Sequence, residues 1–502
     1  MGNRGQWGSR AGFILAAVGS AIGLGNIWRF PYTVASNGGG AFLIPYFVAL
    51  LTAGIPIMIL EFGLGHKLRT SAPGVFGKLN KKWEWIGWWQ CAIAFVITVY
   101  YVVIIGWTLS YFMFSFGLQW GGDAKDFFFS NYLGITGGPF EIGGLQMNVF
   151  IPLVIVWAVN YLVLIGGVKG GIEKANKVFM PILIVLIVII TLRGITLPGA
   201  VEGLNYLFTP DFSKILDGRV WIAAYGQIFY TLSIAFAIML TYSSYLPKKS
   251  DIVNNAFITS LGNCSFSLLS GIAVFSILGY MAGVQGVPVQ EVAGAGIGLA
   301  FVVFPTAISQ LPGLNVIFGV LFFASLFFAG LSSSMSIIEA FTSALIDKFG
   351  LNRKKALTGA CLVGFIVSTI FATGAGLYIL DIVDHFINNY GVALAGLVET
   401  ILIAWMFKLT IIREHVNAIS DFRIGTWWDI CIKYVTPILL GIMTILNLIQ
   451  DFTKPYEAYP INALWAMGFG TVLFAVILGF IVAKIKGSNA YIENIAKGVE
   501  VE

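Results

Sequence analysis

The sequence predicts an all-α polytopic membrane protein of twelve transmembrane helices. Hydrophobic residues make up 58% of the 502 residues and charged residues only 11%, against about 45–50% and about 25% in soluble domains. Mean hydropathy is +0.87. Apolar stretches also recur at the roughly 20-residue length that crosses a hydrocarbon core. This composition excludes a soluble enzyme, a disordered chain and a nucleic-acid binder. The net charge of +5 is too small to imply an anionic partner.

The spans are 11–35, 41–66, 85–116, 148–167, 174–194, 219–246, 254–283, 314–346, 356–374, 377–407, 427–450 and 462–484. The opening MGNRGQWGSR runs straight into the first span without a small-residue cleavage site, so no cleaved signal peptide is expected. With the N-terminus inside, only Lys125, Arg193, Lys214, Arg219 and Lys454 face outward, and Arg29 lies in the first span; the other 23 of the 29 Lys and Arg are cytoplasmic. The positive-inside rule selects that orientation, with both termini in the cytoplasm. Cys91, Cys264, Cys361 and Cys431 lie in or beside apolar stretches and are expected as free thiols. The outer loops 117–147 and 284–313 carry no paired cysteines and no Asn-x-Ser/Thr acceptor, which suits a prokaryotic cytoplasmic membrane. No polar linker divides the chain, so 1–502 is expected to form one domain.

Two spans are interrupted. The first reads AVGSAIGLGNIWRFPY (17–32), with three glycines, Asn26 and Arg29 in mid-membrane. The sixth reads AAYGQIFYTLSIAFAIMLTYSSY (223–245), with polar groups around Thr231 and Ser233. They open two successive sets of five spans. Interrupted spans at matching places point to a transporter site, where half-helix ends and freed carbonyls hold ions and a carboxylate. The Gly19-x-x-x-Gly23 spacing also fits a helix-packing motif. Arg29 and Asn26 favour function, because an intramembrane arginine is costly.

GSAIGLGNIWRFPYTVASNGGGAFLIPYF (19–47), GQIFYTLS (226–233) and AGLSSS (329–334) resemble the first-, sixth- and eighth-span signatures of the neurotransmitter:sodium symporter family, in its bacterial amino-acid-transporter branch. Gly171 and Pro181 resemble that family's fifth-span unwinding motif. The resemblance runs from about Arg4 to Asp451. It implies the leucine-transporter fold, a 5+5 inverted repeat with helices 1 and 6 broken: 11–194 and 219–407 as the repeats, 427–484 as two additional helices.

The resemblance also implies roles. The first sodium site takes the carbonyl of Ala21, the side chains of Asn26, Thr231 and Asn263, and the substrate carboxylate. The second takes the carbonyls of Gly19, Ile22 and Ala329 and the hydroxyls of Ser332 and Ser333. Such oxygens suit a hard cation. Ser332 replaces the threonine of the leucine transporter but keeps the hydroxyl. The Ser332–Ser334 run also fits small-residue helix packing. The substrate pocket is implied to comprise Ser20, Ala21, Leu24, Gly25, Ile97, Tyr101, Tyr230, Thr231, Ser233, Phe236, Ser333 and Ile337. Monoamine-transporting members carry an aspartate at the place of Gly23. Its absence favours a substrate that brings its own carboxylate, and Ile97, Phe236 and Ile337 favour an apolar side chain. Arg29 and Asp384 resemble an outer gate pair, with Tyr101 and Tyr230 as its aromatic lid. Arg4 and Asp347, with Trp7 and Tyr245, resemble the inner gate. Glu61 is read as an acceptor near the broken first span, or as a group coupled directly to transport.

Two Na⁺ beside a zwitterion leave uncompensated charge in low dielectric. Chloride-independent members of the family offset it with an acid four residues after the seventh-span asparagine. Here that place is Ser267, as in chloride-dependent members. Tyr46, Gln227, Thr231, Asn263 and Ser267 then offer neutral donors to a chloride ion; Glu61 and Glu339 are other acids that could supply the charge. The expected function is Na⁺-coupled, Cl⁻-assisted uptake of a neutral, apolar α-amino acid by alternating access. A sensor or channel-like protein on the same fold would keep the same ion ligands. His66, His385 and His415 are not spaced as metal ligands, and no enzyme site is expected.

Overall fold

The computed structural model describes residues 5–293 and 296–498. It is helical throughout, with only two isolated β-bridges among the described residues. Among the described residues, ten helices are long and apolar enough to cross a membrane. We number them with the two broken spans included: α2 (Gly40–Leu68), α3 (Lys81–Ser115), α4 (Met147–Leu164), α5 (Val168–Ile195), α7 (Ile252–Gln285), α8 (Asn315–Phe349), α9 (Arg353–Ala372), α10 (Gly376–Met406), α11 (Thr426–Ala458) and α12 (Ile461–Lys484). The broken spans are α1a (Arg10–Ala21) with α1b (24–36), and α6a (Gly218–Thr231) with α6b (Ile238–Ser244). At 12 residues and 1.5 Å each, α1a extends about 18 Å and cannot cross a ~30 Å core alone.

Helix ends follow local chemistry. Ser9, Asp217, Asp251 and Asn352 accept N-terminal amides of α1a, α6a, α7 and α9, satisfying donors that have no helical partner. Gly286 and Gly350 end α7 and α8 in the left-handed region, at φ 68° and 65°, where a Cβ is disfavoured. The start of α5 is a π-helical turn over Val168–Glu173.

The layering follows from which faces are apolar. The apolar stretch of α3 is almost wholly buried, and that of α12 is mostly exposed. Thus α3 lies at the centre, packed on α4, α8 and α12, while α12 turns most of its apolar surface outward. The half-helix α1a lies among α5, α7 and α8; α6b packs on α2 and α8. The expected outer loops are folded, with helices at Ala200–Phe208 and, over its described part, Gly296–Gln310.

Candidate functional site

The break in α1 is built from glycine and rerouted amides. A run with Gly19, Gly23 and Gly25 has low helix propensity. Ile22 and Gly23 are extended. Gly23 N–H, which would close the next turn on the Gly19 carbonyl, donates instead to Asn26 Oδ1 at 2.9 Å. Leu24 N–H donates to the Tyr101 hydroxyl at 3.1 Å. A Cβ at Gly23 would lie 2.8 Å from Tyr101 Oη, and one at Gly25 only 2.4 Å from Tyr230 Cε1. Larger residues at either place would collide with the two tyrosines.

The break in α6 carries strain. Ser233, Ala235 and Ala237 have φ of 53°, 68° and 70°, conformations that cost about 1–3 kcal/mol each in non-glycine residues. Two contacts hold the segment: Ser233 Oγ donates to the Ser20 carbonyl at 3.2 Å, and Ala235 N–H donates to Glu61 Oε1 at 2.6 Å. Glu61 therefore supports the sixth span, not the first as the sequence led us to expect.

Asn26, Thr231 and Asn263 meet where the two breaks face each other. Asn26 Nδ2 lies 3.1 Å from Thr231 Oγ1, 2.8 Å from Asn263 Oδ1 and 2.7 Å from Ser267 Oγ. One end of the Asn263 carboxamide lies 3.0 Å from the Ala21 carbonyl and 3.3 Å from that of Thr231. Turned one way, its NH₂ satisfies both carbonyls; turned the other, its oxygen joins them. In that second orientation neutral oxygens face one another without a shared proton, an arrangement that suits a cation. Asn26 Oδ1, which accepts from Gly23 N–H, has a second lone pair on the same side of the break.

The second set lies between α1a and α8. Ser332 Oγ donates to the Ala329 carbonyl at 2.9 Å, and Ser336 Oγ to that of Ser333 at 2.6 Å. Ser20 Oγ donates to Ser336 Oγ at 2.6 Å, tying α1a to α8. The Gly19 carbonyl has lost its helical donor. These are neutral oxygens at the negative end of a half-helix.

Beside the first set, Gln227 is buried with both amide atoms unpartnered. Tyr46 Oη donates to Cys264 Sγ at 3.2 Å and lies within hydrogen-bonding reach of Ser267. A buried amide donor beside two hydroxyls fits an anion, since an unmet buried donor costs about 1–3 kcal/mol. Glu339 cannot neutralise charge here. It is held bidentately by Arg353, at 3.0 and 2.6 Å, and accepts from Tyr245 at 2.8 Å. All four cysteines are buried free thiols.

Tyr101 and Tyr230 floor an open vestibule of about 560 Å³. Beneath them Ile97, Phe236, Ser333 and Ile337 are at most 7% exposed. Arg29 and Asp384 both line the vestibule, yet among the described residues no ion pair joins them. The Arg29 guanidinium lies 4.0 Å above the Tyr230 ring. Asp384 Oδ1 accepts from Tyr100 at 2.7 Å and from Asn388 at 2.9 Å.

The opposite, basic face is closed. Trp7 is buried, donates from its ring to the Tyr242 carbonyl at 2.8 Å, and packs edge-on against Tyr242 and Tyr245. Asp347 accepts from Ser71 N–H and the Thr70 hydroxyl at 2.8 and 3.1 Å. Arg4, its expected partner, lies outside the described residues. Sequence reasoning missed Glu173: its carboxylate accepts from Gly8 N–H and Ser9 Oγ, locking the start of α1a onto α5.

Two broken helices meeting at polar clusters, open on one face and sealed on the other, define a secondary transporter. The sodium:neurotransmitter symporter family model matches residues 4–122 and 119–488, and the chain belongs to that family. An uncharacterized sodium-dependent transporter of Methanocaldococcus jannaschii is 47% identical over 96% of this chain and 98% of its own length. The sodium- and chloride-dependent taurine transporter of Bos taurus is 30% identical over 94% of this chain and 82% of its own. The human sodium- and chloride-dependent neutral and basic amino acid transporter B(0+) is 31% identical over 96% and 86%. The chain is a multi-pass, sodium-dependent membrane transporter.

Proposed function

We propose that the protein takes up a neutral, apolar α-amino acid together with sodium at two sites, assisted by chloride. One observation carries the substrate class: Gly23 is packed against the Tyr101 hydroxyl, where a Cβ would come within 2.8 Å. No acid there can meet an amine, so the substrate supplies the anion. Its carboxylate lies by Leu24, Gly25, Tyr101 and the first sodium; its amine meets carbonyls near Ala21, Tyr230 and Thr231. Ile97, Phe236 and Ile337 receive an apolar side chain. The human amino acid transporter among the relatives supports this class.

We further propose that the basic face is cytoplasmic, with both termini inside, and that 11–194 and 219–407 are inverted repeats. Substrate and ions enter by the vestibule. Arg29 then leaves the Tyr230 face to meet Asp384, closing the outer side before the seal at Trp7 opens.

The test is Na⁺-gradient-driven uptake into proteoliposomes from a mixture of the twenty amino acids, read by mass spectrometry in chloride buffer. Gradient-dependent accumulation of one or a few neutral amino acids is expected. No accumulation of any overturns the symporter reading. Replacing chloride with gluconate should lower uptake several-fold, an amount set by one uncompensated charge in a low-dielectric site. Ser267→Glu should remove that dependence; wild-type uptake unchanged in gluconate overturns the anion site.

A further inference from the structure

The α5 helix contributes no ligand to either sodium set described above, yet it places an unmatched oxygen against one of them. Asn176 is fully buried. Its Nδ2 donates to the Ile172 carbonyl one turn earlier, at 3.0 Å, which fixes the amide and turns Oδ1 away from α5. That oxygen has no hydrogen-bond partner. It is seated against α1a: a Cβ built on Gly19 would lie 2.4 Å from Asn176 Oδ1.

Its neighbours offer it no proton. No donor among the described residues bonds it; the Met180 side chain, which also lies against Gly19, carries a thioether that does not donate. Glu173, one turn away on α5, is occupied by Gly8, Ser9 and Lys177. The Gly19 carbonyl has lost its own donor, because Gly23 N–H goes to Asn26. The unmatched Asn176 oxygen thus lies against Gly19, the residue whose carbonyl has lost its donor, near the C-terminal end of a half-helix, where the backbone dipole favours a cation. A buried acceptor without a partner is destabilising, and a monovalent cation removes the penalty for both oxygens.

We propose that Asn176 supplies a further oxygen, from α5, to the cation held at the second sodium site. This rests on that site being formed by Gly19, Ile22, Ala329, Ser332 and Ser333. The occupant is a small hard cation, since only neutral oxygens face it.

The experiment is equilibrium radiosodium binding to the purified full-length protein without substrate, on an Asn26→Ala background that removes the first site. Asn176→Asp adds a charge to the ligand oxygen and should tighten binding about tenfold; Asn176→Leu removes the oxygen and should weaken it about tenfold. Unchanged affinity in both variants means that water satisfies the amide, and overturns the proposal. Equal weakening in both means a purely structural role, and overturns it too. If Asn176→Leu does not fold, Asn176→Asp decides alone: tightening supports the proposal and its absence sinks it. Ser332→Ala with Ser333→Ala separates the two levels. Loss of binding there with no effect at Asn176 rejects only the new ligand; retained binding rejects the second site, and the proposal with it.

Discussion

The two ends of the access path are built differently. At the vestibule end, Arg29 rests on an aromatic face and Asp384 on Tyr100 and Asn388, so the opposite charges have separate local partners. At the sealed end the contacts run between distant elements: Trp7 to Tyr242 and Tyr245, Glu173 to Gly8 and Ser9, Glu339 to Arg353 and Tyr245. The first arrangement can rearrange by side-chain rotation. The second requires breaking a buried ion pair and displacing α1a. The same broken helix is thus anchored at one end and adjustable at the other, as alternating access would require.

The largest effect is expected between the two ends, where the broken helices meet. Asn26→Ala leaves Thr231, Asn263 and Ser267 without their shared partner and removes a proposed ion ligand. Losses of about 1–3 kcal/mol per unmet group predict that Na⁺-dependent substrate binding falls by at least about a hundredfold. Retained affinity in a scintillation proximity assay removes the first sodium site. Next, Glu339→Gln breaks the sealed end. Breaking a buried pair costs about 3–5 kcal/mol, so thermal unfolding should come earlier and a cysteine at Tyr242 should become reactive from the basic face. No change in either would place the seal elsewhere.

Asp384→Asn probes the adjustable end. Because its contacts are local, stability should stay near wild type while uptake falls about tenfold, a single lost charge interaction of ~1.4 kcal/mol. A large loss of stability instead would erase the contrast between the two ends. The smallest effect concerns the basic face. His415 lies 2.9 Å from His66, and burial, then the neighbouring charge of His66, Lys67 and Arg69, pushes its pKa down to about 4. The unfolded chain binds that proton near pH 6.5. Stability should therefore decline as pH falls from about 6.5 toward 4, and His415→Asn should flatten that part of the melting curve.

Much of the fold was legible because hydropathy and helix breaking are local. Ser9 and Asp251 cap helices within three residues of the amides they accept, and the apolar runs fix the span count. The candidate site was legible only through long motifs. Asn26 bonds to Thr231 and Asn263, 205 and 237 residues away, distances no periodicity reports. Glu61 was misplaced for that reason: its carboxylate reaches Ala235, 174 residues on. Glu173 and Asn176 gave no signal, since a polar residue near the start of a span is ordinary until its partner is known.

The sequence by itself determined the membrane class, the twelve spans, the two interruptions and the lack of any acid at Gly23. Those follow from composition and from the weak helix propensity of glycine, which act over a few residues. Only the tertiary structure decided which oxygens face one another, that Gly23 N–H abandons the Gly19 carbonyl for Asn26, that Glu339 is spent on Arg353, and that Arg29 rests on Tyr230. Ion ligation and gating depend on ångström-scale approach between segments, and that approach is set by how the helices pack.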